Sequence, residues 1–352
     1  MTRYLTALLL LCAMAIPASA ERPRPLGWAM DTMRSGDFSG AERIAERDGQ
    51  VARDVITWHR LRAKQGNFEQ ITDFLNRRPD WPGEPYLRRR SEPQVIKQND
   101  ADILAFFKDH PAQTPRGVLA HAKALTAAGE SGAAQAAIVL AWRTMPMNEG
   151  SQAAFLAAHG DLLKPHHDAR LDAMVWGRDY DEARQMYGVA SKSAEQAARS
   201  RIAFYRRSDN AVSLYEDLPD ALKSSGGVNH ARFEWRARKG RQGDAMDLML
   251  ASSKSAEALG DPAAWGNRRR AMARYEMRNG TPERAYVMAS QHFLTDGSDY
   301  ADLEWLSGYI ALTFLNDPMR AHAHFLNHDS AVESPISQGR AGYWQGRALE
   351  AA

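Results

Sequence analysis

Cysteine is nearly missing from this chain: Cys12 is the single one in 352 residues. A lone thiol closes no internal disulfide, so the fold has to be held by apolar burial. The β-branched residues are also scarce, with 21 Val and Ile together against 58 Ala. Strands favour the former and helices the latter, so an almost purely helical chain is expected. Net charge is small as well: 45 Lys and Arg stand against 43 Asp and Glu, a formal +2. A dedicated binder of nucleic acid or of an anionic membrane shows a strong basic excess, so neither is expected as a partner. The short motifs of several enzyme classes are missing too. There is no Gly-x-Ser-x-Gly elbow, no Walker-type loop and no dinucleotide glycine fingerprint. Past the first residues no long apolar run occurs, so no membrane span is expected.

What is present begins with a targeting segment. Met1-Thr-Arg3 supplies positive charge, and Leu5 to Ile16 is apolar apart from Thr6. Ala18-Ser-Ala20 places small residues where a signal peptidase reads. Residues 1–20 are therefore predicted to be a signal peptide cleaved after Ala20, which sends the remainder to the periplasm. An apolar run of about 12 residues is short of the about 20 needed for an anchor. Leu9-Leu-Leu before Cys12 does not suit a lipoprotein site. The mature chain, 21–352, would hold no thiol, which excludes thiolate chemistry.

The mature chain repeats one signal: a turn residue followed five positions later by an apolar one. Gly36 leads to Ala41, Gly66 to Ile71, Gly129 to Ala134, Gly240 to Ala245, Gly280 to Ala285 and Asn316 to Ala321. Gly177 leads to Ala183 with one extra residue. Each glycine is expected to take the left-handed conformation that ends one helix, and Asp, Asn or Thr-Pro to open the next. Gln98-Asn-Asp-Ala101 and Arg207-Ser-Asp-Asn-Ala211 read as degenerate copies. Ile103, Phe106 and Phe107 keep helical spacing, as do Leu119, Ala122 and Leu125, and Met246, Met249 and Leu250. Ser224-Ser-Gly-Gly227 is expected to be the most flexible loop. The predicted fold is all-α, a superhelical solenoid of stacked helical hairpins, tetratricopeptide-like and curved or horseshoe-shaped.

Candidate chemistry is thin. Glu333-Ser334 has the dipeptide of a lysozyme-like acid, but Pro335 follows at once, and Glu92-Pro93 is similarly isolated. Both read as loop or cap residues. His324 and His328 share a helix face at metal-ligand spacing, with His322 on another, and His166-His167 stand beside Asp168. Structural roles are expected for all of them. Of the basic residues 36 are Arg and nine Lys. Runs at Arg88-Arg-Arg90, Arg206-Arg207 and Arg268-Arg-Arg270 read as solvated helix faces, although guanidinium groups on a concave wall could bind carboxylates of a polymer such as peptidoglycan. Most of the nine Trp read as filler between repeats. No catalytic, cofactor-binding or metal-ligating residue is assigned.

Longer segments carry a family resemblance. His166-His-Asp-Ala-Arg170 through Trp176, Tyr180, Ala183, Arg184 and Met186 resembles the superhelical domain of soluble lytic murein transglycosylases. Pro115-Arg-Gly117 through Gly129 to Ala141-Trp142-Arg143 looks like the same domain. Arg340-Ala-Gly-Tyr343-Trp344-Gln-Gly-Arg347-Ala348 resembles its closing helix. The resemblance implies a periplasmic, ring- or horseshoe-shaped helical domain beneath a lysozyme-like domain. That domain cleaves the MurNAc–GlcNAc bond to a 1,6-anhydro product with one catalytic Glu. No residue of this chain matches those catalytic residues. In the family a further turn, more hairpins and the catalytic domain would follow Ala352, so a C-terminally truncated superhelical domain is expected. The function implied is a non-catalytic scaffold in peptidoglycan turnover, with glycan strands and possible proteins as partners. The alternatives are an exported tetratricopeptide-like interaction adaptor, whose repeats would hold nearer 34 residues, and a helical enzyme with an unrecognised site.

Overall fold

The computed structural model describes residues 24–352. The expected signal peptide, residues 1–20, lies outside the described residues. Every regular element among the described residues is helical, and none is a strand. None of those helices is long and apolar enough to cross a membrane. The chain divides into two compact units, one ending at Ala137 and one running Ile138–Ala352. The division falls within the helix Ser131–Thr144.

Helix starts follow the turn signals through local capping. Asp37 opens Phe38–Ala45 by accepting from the Gly40 amide at 2.8 Å. Asn67 opens Phe68–Arg77 through a reciprocal capping box with Gln70. Asp317 opens Pro318–Ser330 through the Arg320 amide. Each such bond satisfies a first-turn N–H that has no partner inside the helix. The residue four positions after the cap then faces the partner helix. Ala41, Ile71, Ala134, Ala183, Ala245, Ala285 and Ala321 are all 5% exposed or less. In the copy at Asn99 this place falls to Ile103, which is buried, while Ala101 is exposed.

The turn glycines split into two kinds. Gly36, Gly129 and Gly240 take positive φ as the turn signal predicts. At Gly66, Gly177 and Gly280 the expectation fails: Lys64 (φ 63°) and Arg178 (φ 68°) hold the left-handed position at the first two, and Gly280 itself has φ −118°. Gly66 is needed for space: a Cβ there would collide with the Leu61 side chain.

Ser224-Ser-Gly-Gly227 is also not a loop. The helix Gly226–Arg238 begins inside it. A Cβ on Gly226 would stand 2.5 Å from the Gly260 nitrogen, and one on Gly227 would stand 2.6 Å from the Arg201 guanidinium carbon. Glycine here lets backbone approach backbone, which favours a tight seam over mobility. Because neither backbone can yield cheaply, Gly226→Ala is expected to destabilise this unit by about 1–3 kcal/mol. Thermal melts of the two proteins check this, and an unchanged midpoint would mean that the seam is loosely packed.

Candidate functional site

In the unit ending at Ala137, two buried carboxylates organise the surface. Asp54, on the helix Gln50–Arg62, is fully buried. Its oxygens accept from Arg78 Nε at 2.7 Å, Arg77 Nη1 at 3.0 Å and Gln50 Nε2 at 2.9 Å. Burial pushes its pKa up, but these three donors outweigh burial and hold the carboxyl below its usual value. Glu92, on the helix Glu84–Val95, is 1% exposed. It accepts from the Gln113 amide and the Thr114 hydroxyl, and so pins the cap of the helix Pro115–Ala127. Burial pushes this carboxyl above its usual range, against those donors. Glu92 is thus a fastener between helices, closed to a substrate.

Above Asp54 lies a groove of about 470 Å³ across the helices Phe38–Ala45, Gln50–Arg62 and Phe68–Arg77. Arg53, Arg60 and Arg77 line it together with Gln50 and Gln70. Glu42 holds Arg60 at 2.8 Å and Asp73 holds Arg77 at 2.9 Å. Arg53 and Arg60 belong to no basic run, and Arg77 is the first of the pair Arg77-Arg78. Arg53 and Arg60 are seven residues apart, two helical turns on one face, and that spacing is the one signal that pairs them in the sequence. Arg77 reaches the groove from another helix.

In the unit Ile138–Ala352, arginines tie successive helices. The run at 268–270, read above as a solvated face, serves three different neighbours. Arg268 donates to Glu234 at 2.6 Å on the helix Gly226–Arg238. Arg269 is fully buried and donates to the Met288 carbonyl at 2.9 Å and the Ser253 hydroxyl at 2.6 Å. Arg270 pairs with Asp299 and Asp302 on the helix Gly297–Thr313. Consecutive helical side chains diverge by about 100°, so each reaches a separate partner. Arg170 is buried in the same manner, with the Trp142 ring 4.6 Å from its guanidinium and the Trp142 and Met145 carbonyls as acceptors. Burial lowers the pKa of both Arg170 and Arg269 to about 10.

His167, His292, His324 and His328 are spent on packing and hydrogen bonds. Asp168 accepts from the Ser191 amide and hydroxyl at 2.8 and 2.7 Å, while His167 stands edge-on to Trp142. His328 is buried on the Ala301 carbonyl. His324 Nδ1 donates to Glu304 at 2.7 Å, and His324 Nε2 faces the Tyr286 hydroxyl at 2.9 Å. His292 Nδ1 accepts the Leu294 amide, so its Nε2 carries the proton and donates to Glu304 at 2.9 Å. Asn327 completes the set at 3.0 Å. Burial alone would raise the Glu304 pKa, but the donors from His292, His324 and Asn327 prevail and hold it at about 2. The His324–His328 spacing thus builds a carboxylate cradle and a backbone contact. Among the described residues no group of His, Cys, Asp and Glu is arranged to hold a metal ion.

The closing motif forms the helix Pro335–Ala351, capped by Ser334. Ala341 and Ala348 are buried, and Trp344 packs on Trp305, Tyr309 and Phe325. Glu333 is exposed ahead of the cap. No protein family, curated protein or solved structure matches the chain.

Proposed function

We propose that the chain is a non-catalytic superhelical scaffold of a periplasmic lytic transglycosylase, holding glycan strands for a catalytic domain during peptidoglycan turnover. In this reading the hairpins stack as a curved, tetratricopeptide-like solenoid. The observation that carries it is the fate of the buried carboxylates, of which Glu84, Glu234 and Glu276 are paired with Arg88, Arg268 and Arg284. A glycan-cleaving acid has to be protonated near neutral pH and to reach the glycosidic oxygen. Asp54 and Glu304 are held ionised by fixed donors. Glu92 has the raised pKa of such an acid, but it is shut from solvent and spent on Gln113 and Thr114. The segments that resemble the transglycosylase domain supply packing instead, through Arg170, Ala183, Met186 and Trp344. Purified sacculi are expected to sediment the chain and to yield no new muropeptides. Release of 1,6-anhydro products, or a chain left wholly in solution, would overturn the reading.

The adaptor alternative is favoured by one feature, an apolar groove of about 410 Å³ lined by Met246, Ala271, Met272 and the exposed Tyr275. Such a lining suits a partner's apolar side chain better than a glycan. A pull-down that retrieves a protein, from a chain that ignores sacculi, would select it.

A further inference from the structure

We propose that the groove lined by Arg53, Arg60 and Arg77 binds a short zwitterionic peptide, gripping its carboxylates through the guanidinium groups. The identification of that peptide with the stems of peptidoglycan rests on the scaffold reading above.

Arg60 and Arg77 are held in place, Arg53 is tied only to the exposed Glu46, and all three still have donors to offer. Arg60 spends Nε on Glu42 and Nη1 on the Gln65 carbonyl and the Gln70 amide oxygen. Arg77 spends Nε on Asp73 and Nη1 on the buried Asp54. Arg53 spends Nη1 on Glu46. No described residue takes a hydrogen bond from Nη2 of any of the three. Gln70 commits its oxygen to Arg60 and the Asn67 amide, which leaves its Nε2 as another donor. Fixed planar forks with spare N–H groups suit carboxylates, and fixing them beforehand lowers the entropy lost on binding.

The counter-charges decide what else the ligand carries. Glu42 uses Oε1 for Thr57 and Arg60, and Asp73 uses Oδ2 for Arg77. Their second oxygens accept no hydrogen bond from a described residue, so the groove offers acceptors beside its donors. Glu42, Asp73, Glu46 and Asp54 offset the three cations and Arg78, which shares Asp54, so the balance disfavours a dense polyanion and favours a ligand with both carboxylate and ammonium groups. No aromatic ring lines the groove, so a sugar lacks the stacking face it would use. At about 470 Å³ the space suits a ligand of a few peptide residues.

The test is calorimetric titration of the whole chain with the dipeptide Ala-Glu, with Ala-Gln-amide and with tri-N-acetylchitotriose. Ala-Glu is expected to bind at least about tenfold more tightly than the amide, which keeps the ammonium and lacks both carboxylates, the usual scale for a charge-assisted pair. Arg53→Gln should weaken Ala-Glu by about tenfold at an unchanged melting temperature, since Arg53 pairs only with exposed Glu46. Arg53→Lys should recover part of the loss. Equal binding of Ala-Glu and the amide, displacement of Ala-Glu by the chitotriose, or an indifferent Arg53→Gln protein would each overturn the proposal. Sedimentation with sacculi separates the two readings. If the Arg53→Gln, Arg60→Gln double variant sediments as the wild type does, the groove proposal falls and the scaffold reading stands. If the wild type ignores sacculi yet binds Ala-Glu in the groove, the scaffold reading falls and the groove chemistry stands.

Discussion

Acidification from pH 7 to pH 5 is expected to cost the unit Ile138–Ala352 about 2 kcal/mol, with His230 as the main cause. His230 is 1% exposed. It lies among Trp176, Phe233 and Trp265, with Tyr205 on Nδ1 at 2.9 Å and the Ala264 carbonyl near Nε2 at 3.2 Å. Burial, aided by nearby Arg178, drives its pKa from 6.5 down to about 3. The unfolded chain therefore binds a proton over a range where the folded chain refuses it. Stability is full above pH 6.5 and falls as pH drops towards 3, by about 1.4 kcal/mol per pH unit. His167, whose pKa burial also lowers, adds a slope of the same sign. Urea unfolding at both pH values, on the wild type and on His230→Gln, measures the effect. The variant should be weaker at pH 7, because Tyr205 loses its acceptor, yet lose much less between pH 7 and pH 5. Equal acid losses in the two proteins would show that His230 does not carry the slope.

Glu304→Leu should cost about 3–5 kcal/mol at neutral pH, since it strands the buried His292 and half-buried His324 donors at once, while the exposed Asn327 turns to water. His292 cannot adapt, because the Leu294 amide already occupies its Nδ1. Glu304→Gln should be milder. His324 can shift its proton to Nε2, accept from the new amide and donate to the Tyr286 oxygen in place of accepting from it. The acid response differs from that of His230. The carboxyl falls from a usual 4.5 to about 2 in the folded chain, so its contribution is present above pH 4.5 and disappears as pH falls towards 2. The contribution is about 3 kcal/mol. Denaturant titrations between pH 6 and pH 2 should find that limb in the wild type and not in Glu304→Gln. A Leu variant within 1 kcal/mol of the wild type would mean that the cradle is looser than its distances indicate.

Helix content, the positions of most turns and the inward-facing residue of most second helices could be read from the chain as written. The reason is range. A cap acts on an amide three residues ahead, and the buried Ala or Ile lies four residues past the cap, so both ends of each rule fall within one short segment. The glycines at 66, 226 and 227 escaped that logic. Their neighbours, Leu61, Gly260 and Arg201, make close approach their purpose, and Gly260 and Arg201 stand tens of residues away in sequence. The same holds for the charged groups. Arg268, Arg269 and Arg270 look alike in a row, yet they bind Glu234, Ser253 and Asp302 because successive side chains diverge around the helix. Glu304 finds its partners 12, 20 and 23 positions away. The groove collects Arg53, Arg60 and Arg77 from two helices and anchors Arg77 on Asp54. Local hydrogen bonding and periodicity were sufficient for the helices. The choice of which arginine is buried, which carboxylate stays charged and which donors remain to meet a ligand came from packing between segments far apart along the chain.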